Sequence, residues 1–210
     1  MTTAFDLATP VAAFDVDGTL TTVDTFVRFV RRVAGVRAYT AAVKAAPLAA
    51  AVVAGRVSRD RLKARVVASV FAGREADDVA EAGRAHAGQI RERWLRADAV
   101  ARLGWHRAQG HRVVLVSASL RPYLDPLGAW LGVHDVLCTD LGVDASGRLD
   151  GTLLGGNCRG PAKAERLVAH LGGRPTSLWV YGDSDGDNEL LALADHPHRL
   201  ARRATIAAAP

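Results

Sequence analysis

Cysteine is scarce in this 210-residue chain: Cys138 and Cys158 are its only two, and they form no Cys-x-x-Cys spacing. A zinc ribbon or a dithiol redox centre needs closely spaced thiolates, so neither is expected, and both cysteines read as packing residues. Long hydrophobic runs are lacking as well. The longest, residues 45–55, contains Pro47 and falls short of the roughly 20 apolar residues that a spanning helix requires. No transmembrane segment is expected, although a greasy surface against a membrane or an apolar substrate stays open for that stretch. Residues 1–10 carry an acid and no apolar core of the secretory kind, so a cytoplasmic protein with reduced thiols is the default expectation. Internal repeats are absent, and so are nucleic-acid motifs and basic runs interleaved with aromatics; no nucleic-acid partner is expected.

What is present is enough apolar sequence, 49% hydrophobic, to bury a core and to make disorder the wrong class. The 27 Lys and Arg against 22 Asp and Glu leave a net charge of +5. That excess favours anionic partners without selecting one, and its arginines, scattered between Arg28 and Arg112, read first as solvated helix faces.

Val11-Ala12-Ala13-Phe14 is a short apolar run ending at Asp15, and residues 112–116 end in the same way at Ser117. Residues 177–181 run into Gly182-Asp183, and 135–139 follow Gly132. Each reads as a buried parallel strand. Helical spacing over 123–131 and 162–171 alternates with them, which predicts an α/β fold, a Rossmann-like parallel sheet with helices on both faces. Ligands in such sheets sit at the carboxyl ends of the strands, where Asp15, Ser117 and Asp183 fall. Residues 22–99 show no convincing strand. Phe26, Val27, Phe29, Val30 and Val33 leave Arg28, Arg31 and Arg32 on another face in an amphipathic pattern, and further helices fit 59–71, opened by Ser58 as N-cap, and 75–95. This block reads as an all-helical cap (23–98) inserted into a core formed by 1–22 and 99–210. Little in 192–210 reads as a closing strand.

Asp15-Val16-Asp17-Gly18 places two carboxylates two residues apart just past a strand end. Alone, this is a common acidic turn. Its company gives it meaning: Ser117 at a strand end, an isolated Lys163 at a helix start, and Gly182-Asp183-Ser184-Asp185-Gly186-Asp187 closing another strand.

These four pieces in this order resemble the haloacid dehalogenase-like (HAD) superfamily of aspartyl-nucleophile phosphotransferases, over nearly the whole chain. The helical block directly after the first motif, with Gly151-Thr152 and Gly156-Asn157-Cys158-Arg159-Gly160 before Lys163, is similar to the branch of phosphoserine phosphatases and their relatives, subfamily IB. The resemblance implies a phosphatase in which Asp15 is the nucleophile and forms an aspartyl phosphate. Asp17 is implied as general acid and then general base. Ser117 and the backbone N–H of Ala118 would hold phosphoryl oxygens, and Lys163 would screen charge. A Mg²⁺ site would use Asp15, the Asp17 carbonyl and Asp183, a hard-oxygen set, with Asp187 orienting metal waters; Asp185 competes for that last role.

The same branch implies a substrate-reading carboxylate and cap arginine, for which Asp24 and Arg65 are the candidates here. A small phosphomonoester, phosphoserine-like or a related metabolite phosphate, is the expected substrate. Histidinol phosphate or a bulkier, lipid-like phosphate is the alternative, suited by the apolar run 48–53. C–halogen or C–P cleavage, and a non-enzymatic basic binding module, are the remaining readings. Monomer and homodimer are equally compatible with the sequence.

Overall fold

The computed structural model describes residues 6–35, 52, 54–200 and 205–206. Six strands, β1 (Val11–Phe14), β2 (Arg112–Leu120), β3 (Asp135–Val143), β4 (Leu149–Leu154), β5 (Leu178–Gly182) and β6 (His196–Arg199), form one sheet in the order β4-β3-β2-β1-β5-β6. All neighbours pair in parallel except β4, which is antiparallel to β3. Among the described residues, the chain between β1 and β2 forms α1 (Thr25–Ala34), α2 (Arg59–Phe71) and α3 (Ala76–Arg93). Then come α4 (Ala97–Ala108) before β2, α5 (Arg121–Leu131) after it, α6 (Pro161–Leu171) before β5 and α7 (Asn188–Leu193) after it.

Strand β1 is central and fully buried because both of its faces are covered. Its side chains alternate as a strand must. Ala12 and Phe14 join one hydrophobic cluster with Leu120, Tyr123, Phe29, Phe71 and Ile90, whereas Val11 and Ala13 join a second with Val114, Val180, Leu167 and Leu190. The first cluster runs from the sheet into α1, α2 and α3 without a break, so the inserted helices share the core of the sheet. Gly83 of α3 shows how close that docking is: a Cβ there would overlap the Pro122 carbonyl at the start of α5.

The expected α/β class and its four strands are present, with two corrections. The sheet is mixed rather than wholly parallel, because a tight turn at 144–147, in which the Asp144 side chain accepts from Ser146 N, returns the chain as the β3–β4 hairpin. The closing strand thought to be missing exists as β6. Its His-Pro-His-Arg composition hides it, yet it is an edge strand, where proline is tolerated, and its imidazoles stack on β5, His196 on Trp179 and His198 on Tyr181. Ser58 caps α2 as expected, accepting from Arg61 N. Both cysteines are free and buried. Among the described residues no helix is long and apolar enough to cross a membrane. The run 48–53 lies outside the described residues apart from Val52.

Candidate active site

Hydrogen bonds that hold β1 between β2 and β5 deliver Asp15 to the carboxyl edge of the sheet, where its own N–H donates to Tyr181 O at 2.9 Å. The chain then turns at Gly18, whose positive φ of 85° favours glycine. A Cβ at this position would overlap the Asp183 carboxylate. Gly18 is thus what lets the loops after β1 and β5 come together.

Lys163, two residues into α6 and 2% exposed, donates from Nζ to Asp15 Oδ1 and to Asp187 Oδ1, both at 2.6 Å. Carboxylate oxygens of Asp15, Asp183 and Asp187 lie within 4.8 Å of one another. The two oxygens of Asp187 are committed, one to Lys163 and the other to Ser184, whose N–H and hydroxyl donate at 3.0 and 2.9 Å. Oδ1 of Asp183, by contrast, is shut away from solvent and has no hydrogen-bond partner. Asp185 points outward and is exposed, which separates it from Asp187.

The electrostatics follow from this crowding. Burial, aided by the charges of Asp187 and Asp17, pushes Asp15 above the ordinary carboxylate range against the pull of Lys163. Asp183 is raised by burial and by Asp187. Asp187 is also buried, but the ammonium of Lys163 and the Ser184 bonds carry it below the usual value. Burial opposes the charge on Lys163, yet the two carboxylates win and raise it. Three carboxylates facing one ammonium leave the cluster short of positive charge, and one of them, Asp183, keeps a buried hard oxygen without a hydrogen-bond partner. A divalent, oxygen-seeking cation such as Mg²⁺ fits that donor set.

Asp17 faces away from this cluster. Its Oδ1 accepts from the N–H and hydroxyl of Thr25, at 2.7 and 2.6 Å, and its Oδ2 from the hydroxyl of Ser119. Burial and the charge of Asp24 raise it, against the Ser119 and Thr25 bonds. Thr25 opens α1 and Ser119 lies at the end of β2, so Asp17 is gripped by the inserted helices and the sheet together. Ser117 is 1% exposed, and its Oγ accepts from Ser119 N at 3.1 Å.

These groups open into a cavity of about 690 Å³. Asp15, Asp17, Ser117, Ala118, Lys163 and Asp183 form its floor; α1 and α2 supply an apolar wall of Phe26, Val27, Val30, Leu62 and Val66, with Arg31, Arg59, Lys63 and Arg159 also lining it. Asp24 lines the cavity too, while its Oδ1 caps α1 by accepting from Val27 N at 2.9 Å.

Arg65 does not line it. It is exposed on the outer side of α2. The buried positions of α2 are Lys63, Val67, Val70 and Phe71; Arg65, two residues past Lys63, is about 200° round the helix from it. Lys63 takes the inward place, donating to the carbonyl of Ala118 and to Asn157 Oδ1 at 2.7 Å, with burial lowering it to about 8. The signal was in the sequence, as the spacing of Lys63 from Val67 and Val70. Thr25, Ser119 and Tyr123, whose hydroxyl lies 3.2 Å from Thr25 Oγ1, carried no such signal, because they meet only when the sheet and α1 pack.

A strand-end carboxylate paired with a buried lysine and a second acidic loop defines a class, and the chain belongs to it: residues 12–192 match the haloacid dehalogenase-like hydrolase family. Protein CicA of Caulobacter vibrioides (strain NA1000 / CB15N) is 36% identical over 185 residues, spanning 88% of this chain and 83% of CicA. Among solved structures, a protein of unknown function from Bordetella pertussis Tohama I shares the fold with a TM-score of 0.74 at 20% identity, over 88% of this chain and 86% of that one. A substrate-bound phosphoserine phosphatase complex does so with a TM-score of 0.60 at 17% identity, over 89% and 83%.

Proposed function

We propose that the protein hydrolyses a phosphomonoester with Mg²⁺ through an aspartyl phosphate on Asp15. The observation that carries this reading is the Asp15–Lys163–Asp187 contact beside the unpartnered Oδ1 of Asp183, where Asp15, Lys163 and Asp183 line the floor of the cavity. Asp15, the Asp17 carbonyl and Asp183 would hold the cation, with Asp187 supporting it. When bound, Mg²⁺ supplies positive charge against the phosphate dianion.

An Asp15 oxygen attacks phosphorus, and the bond to the leaving oxygen breaks as Asp17 donates its proton to that oxygen. Asp17 then takes a proton from the water that attacks the aspartyl phosphate, and phosphate and free Asp15 are released. Ser117 Oγ and the Ala118 N–H hold phosphoryl oxygens, while Lys163 keeps Asp15 placed and offsets its charge. The helices of 23–98 act as a cap over a core of 1–22 and 99–210, and read the leaving group.

A small metabolite phosphate of the phosphoserine kind is the first reading of the substrate, with the zwitterion meeting Asp24 and cavity cations other than Arg65. A bulkier, more apolar leaving group is the second, favoured by the apolar wall from α1 and α2. A panel of phosphorylated metabolites, assayed with Mg²⁺ and with chelator, tests both. Release of phosphate that needs Mg²⁺ and is lost in Asp15→Asn is the expected result, and metal-independent turnover would overturn the reading.

A further inference from the structure

Lys63 is 9% exposed, reaches from α2 toward the sheet, and among the described residues its hydrogen bonds go to neutral oxygens: the Ala118 carbonyl, Asn157 Oδ1 and, at 3.4 Å, Thr139 Oγ1. Phe26 of α1 covers it, its ring centroid 4.9 Å from Nζ. Asn157 returns the contact by donating to Asp60 Oδ1 of α2 at 2.6 Å. A cation so placed has given up water, and among the described residues no carboxylate is in hydrogen-bond contact with it, an arrangement that costs free energy.

The peptide unit that Lys63 holds is the informative part. The carbonyl of Ala118 and the N–H of Ser119 belong to one rigid plane. Lys63 binds the oxygen end of that plane, and the nitrogen end donates to Ser117 Oγ at 3.1 Å. The next side chain along, Ser119, donates to Asp17 Oδ2. Lys63 from α2, together with the Thr139 hydroxyl of β3, which donates to the same carbonyl at 2.8 Å, therefore holds a peptide on which the placement of Ser117 and Asp17 depends.

We infer that Lys63 is a positioning residue, holding the Ala118–Ser119 peptide from α2 so that seating of α2 on the sheet and presentation of the Ser117 hydroxyl are one event. This rests on the phosphatase reading for its consequence but not for its geometry. Two measurements separate the two.

Amide hydrogen exchange on the substrate-free protein reads the geometry directly. In Lys63→Met, the Ser119 amide should exchange on the order of tenfold faster or more, as expected of a local opening, while Val114 and Leu115 in the same strand keep their rates. Lys63→Gln, which retains a donor, should fall between and serves if the methionine variant does not fold. An unchanged Ser119 amide overturns the inference whatever the protein hydrolyses.

The second measurement is a double-mutant cycle on p-nitrophenyl phosphate. Lys63→Met should lower kcat/KM about tenfold or more in the wild-type background and less than about twofold in Ser117→Ala, because the effect travels through that hydroxyl. Equal losses in both backgrounds would make Lys63 a direct substrate contact and overturn the positioning role. Absence of any phosphatase activity would remove the functional reading and leave the amide result standing.

Discussion

Lys163 and Asp15 are 148 residues apart in the chain and 2.6 Å apart in the fold, with both side chains buried. Asp187 holds the same ammonium from the other side. Removing Lys163 leaves two carboxylates together in a dry site, and breaking a buried ion pair in this way costs about 3–5 kcal/mol. Lys163→Met should accordingly lower the thermal midpoint, and Mg²⁺ should restore part of the loss by supplying the missing positive charge. A midpoint equal to wild type in the presence of chelator would show that the ammonium does not stabilise these carboxylates.

Asp17 touches Thr25 and Ser119 and stands clear of Lys163, which suits a proton carrier more than a nucleophile. Asp17→Asn should slow alkyl phosphates by ~10²- to 10⁴-fold, the usual worth of a general acid–base group. The loss should be smaller for p-nitrophenyl phosphate, whose leaving group departs with little protonation. Measuring kcat on both substrates decides the matter; equal losses would make Asp17 a structural anchor.

Arg65 lies on the solvent side of α2. Arg65→Ala should change KM by less than about twofold for phosphoserine and for p-nitrophenyl phosphate alike, as exposed charges away from a site contribute little. A rise in KM confined to phosphoserine would bring Arg65 back into the substrate pocket.

His106 is buried, with Nε2 at 2.9 Å from Tyr181 Oη and Nδ1 at 2.8 Å from His111 Nδ1. Burial first, then the charges of His111 and Arg102, lowers its pKa to about 3, and burial lowers that of His86 to about 4. Unfolded histidine takes up its proton near pH 6.5, about three units before these folded imidazoles do. Between those values the unfolded state binds more protons, so stability is full above about pH 6.5 and falls as the pH drops. Thermal midpoints should decline across that window, and less steeply in His106→Gln. A flat profile from neutral to about pH 4 would contradict the linkage.

The grouping of the candidate site was more legible in the sequence than the edges of the sheet. Asp15, Ser117 and Asp183 were legible because each follows an apolar run at the carboxyl side of a strand, and those sides converge on one edge of a parallel sheet wherever the helices go. Lys163 was legible from its company, since it lies near the start of the helix just before the strand that ends at Asp183. β6 was not, because none of its side chains is fully buried and it is tied to β5 by imidazoles stacking on Trp179 and Tyr181, which hydropathy does not register. Arg65 was chosen by residue type, where the inward stripe of α2 singled out Lys63. Asp17's partners lie 8 and 102 residues away along the chain, and no local pattern announces such a meeting.

The overlap that any side chain at Gly83 would make with Pro122 bears on how this family could trade parts. The inserted helices look like a cassette, begun after β1 and finished before α4, that recombination could lift from one relative to another. Yet α3 is fitted to the first turn of α5, and α5 follows directly from the β2 end that carries Ser117 and Ser119. A chimaera cut at 23 and 98 would set a foreign helix against that turn and crowd the strand end beneath it. The exchangeable unit has to include α5, so any transplant of the inserted helices brings the β2 end that carries Ser117 and Ser119 with it.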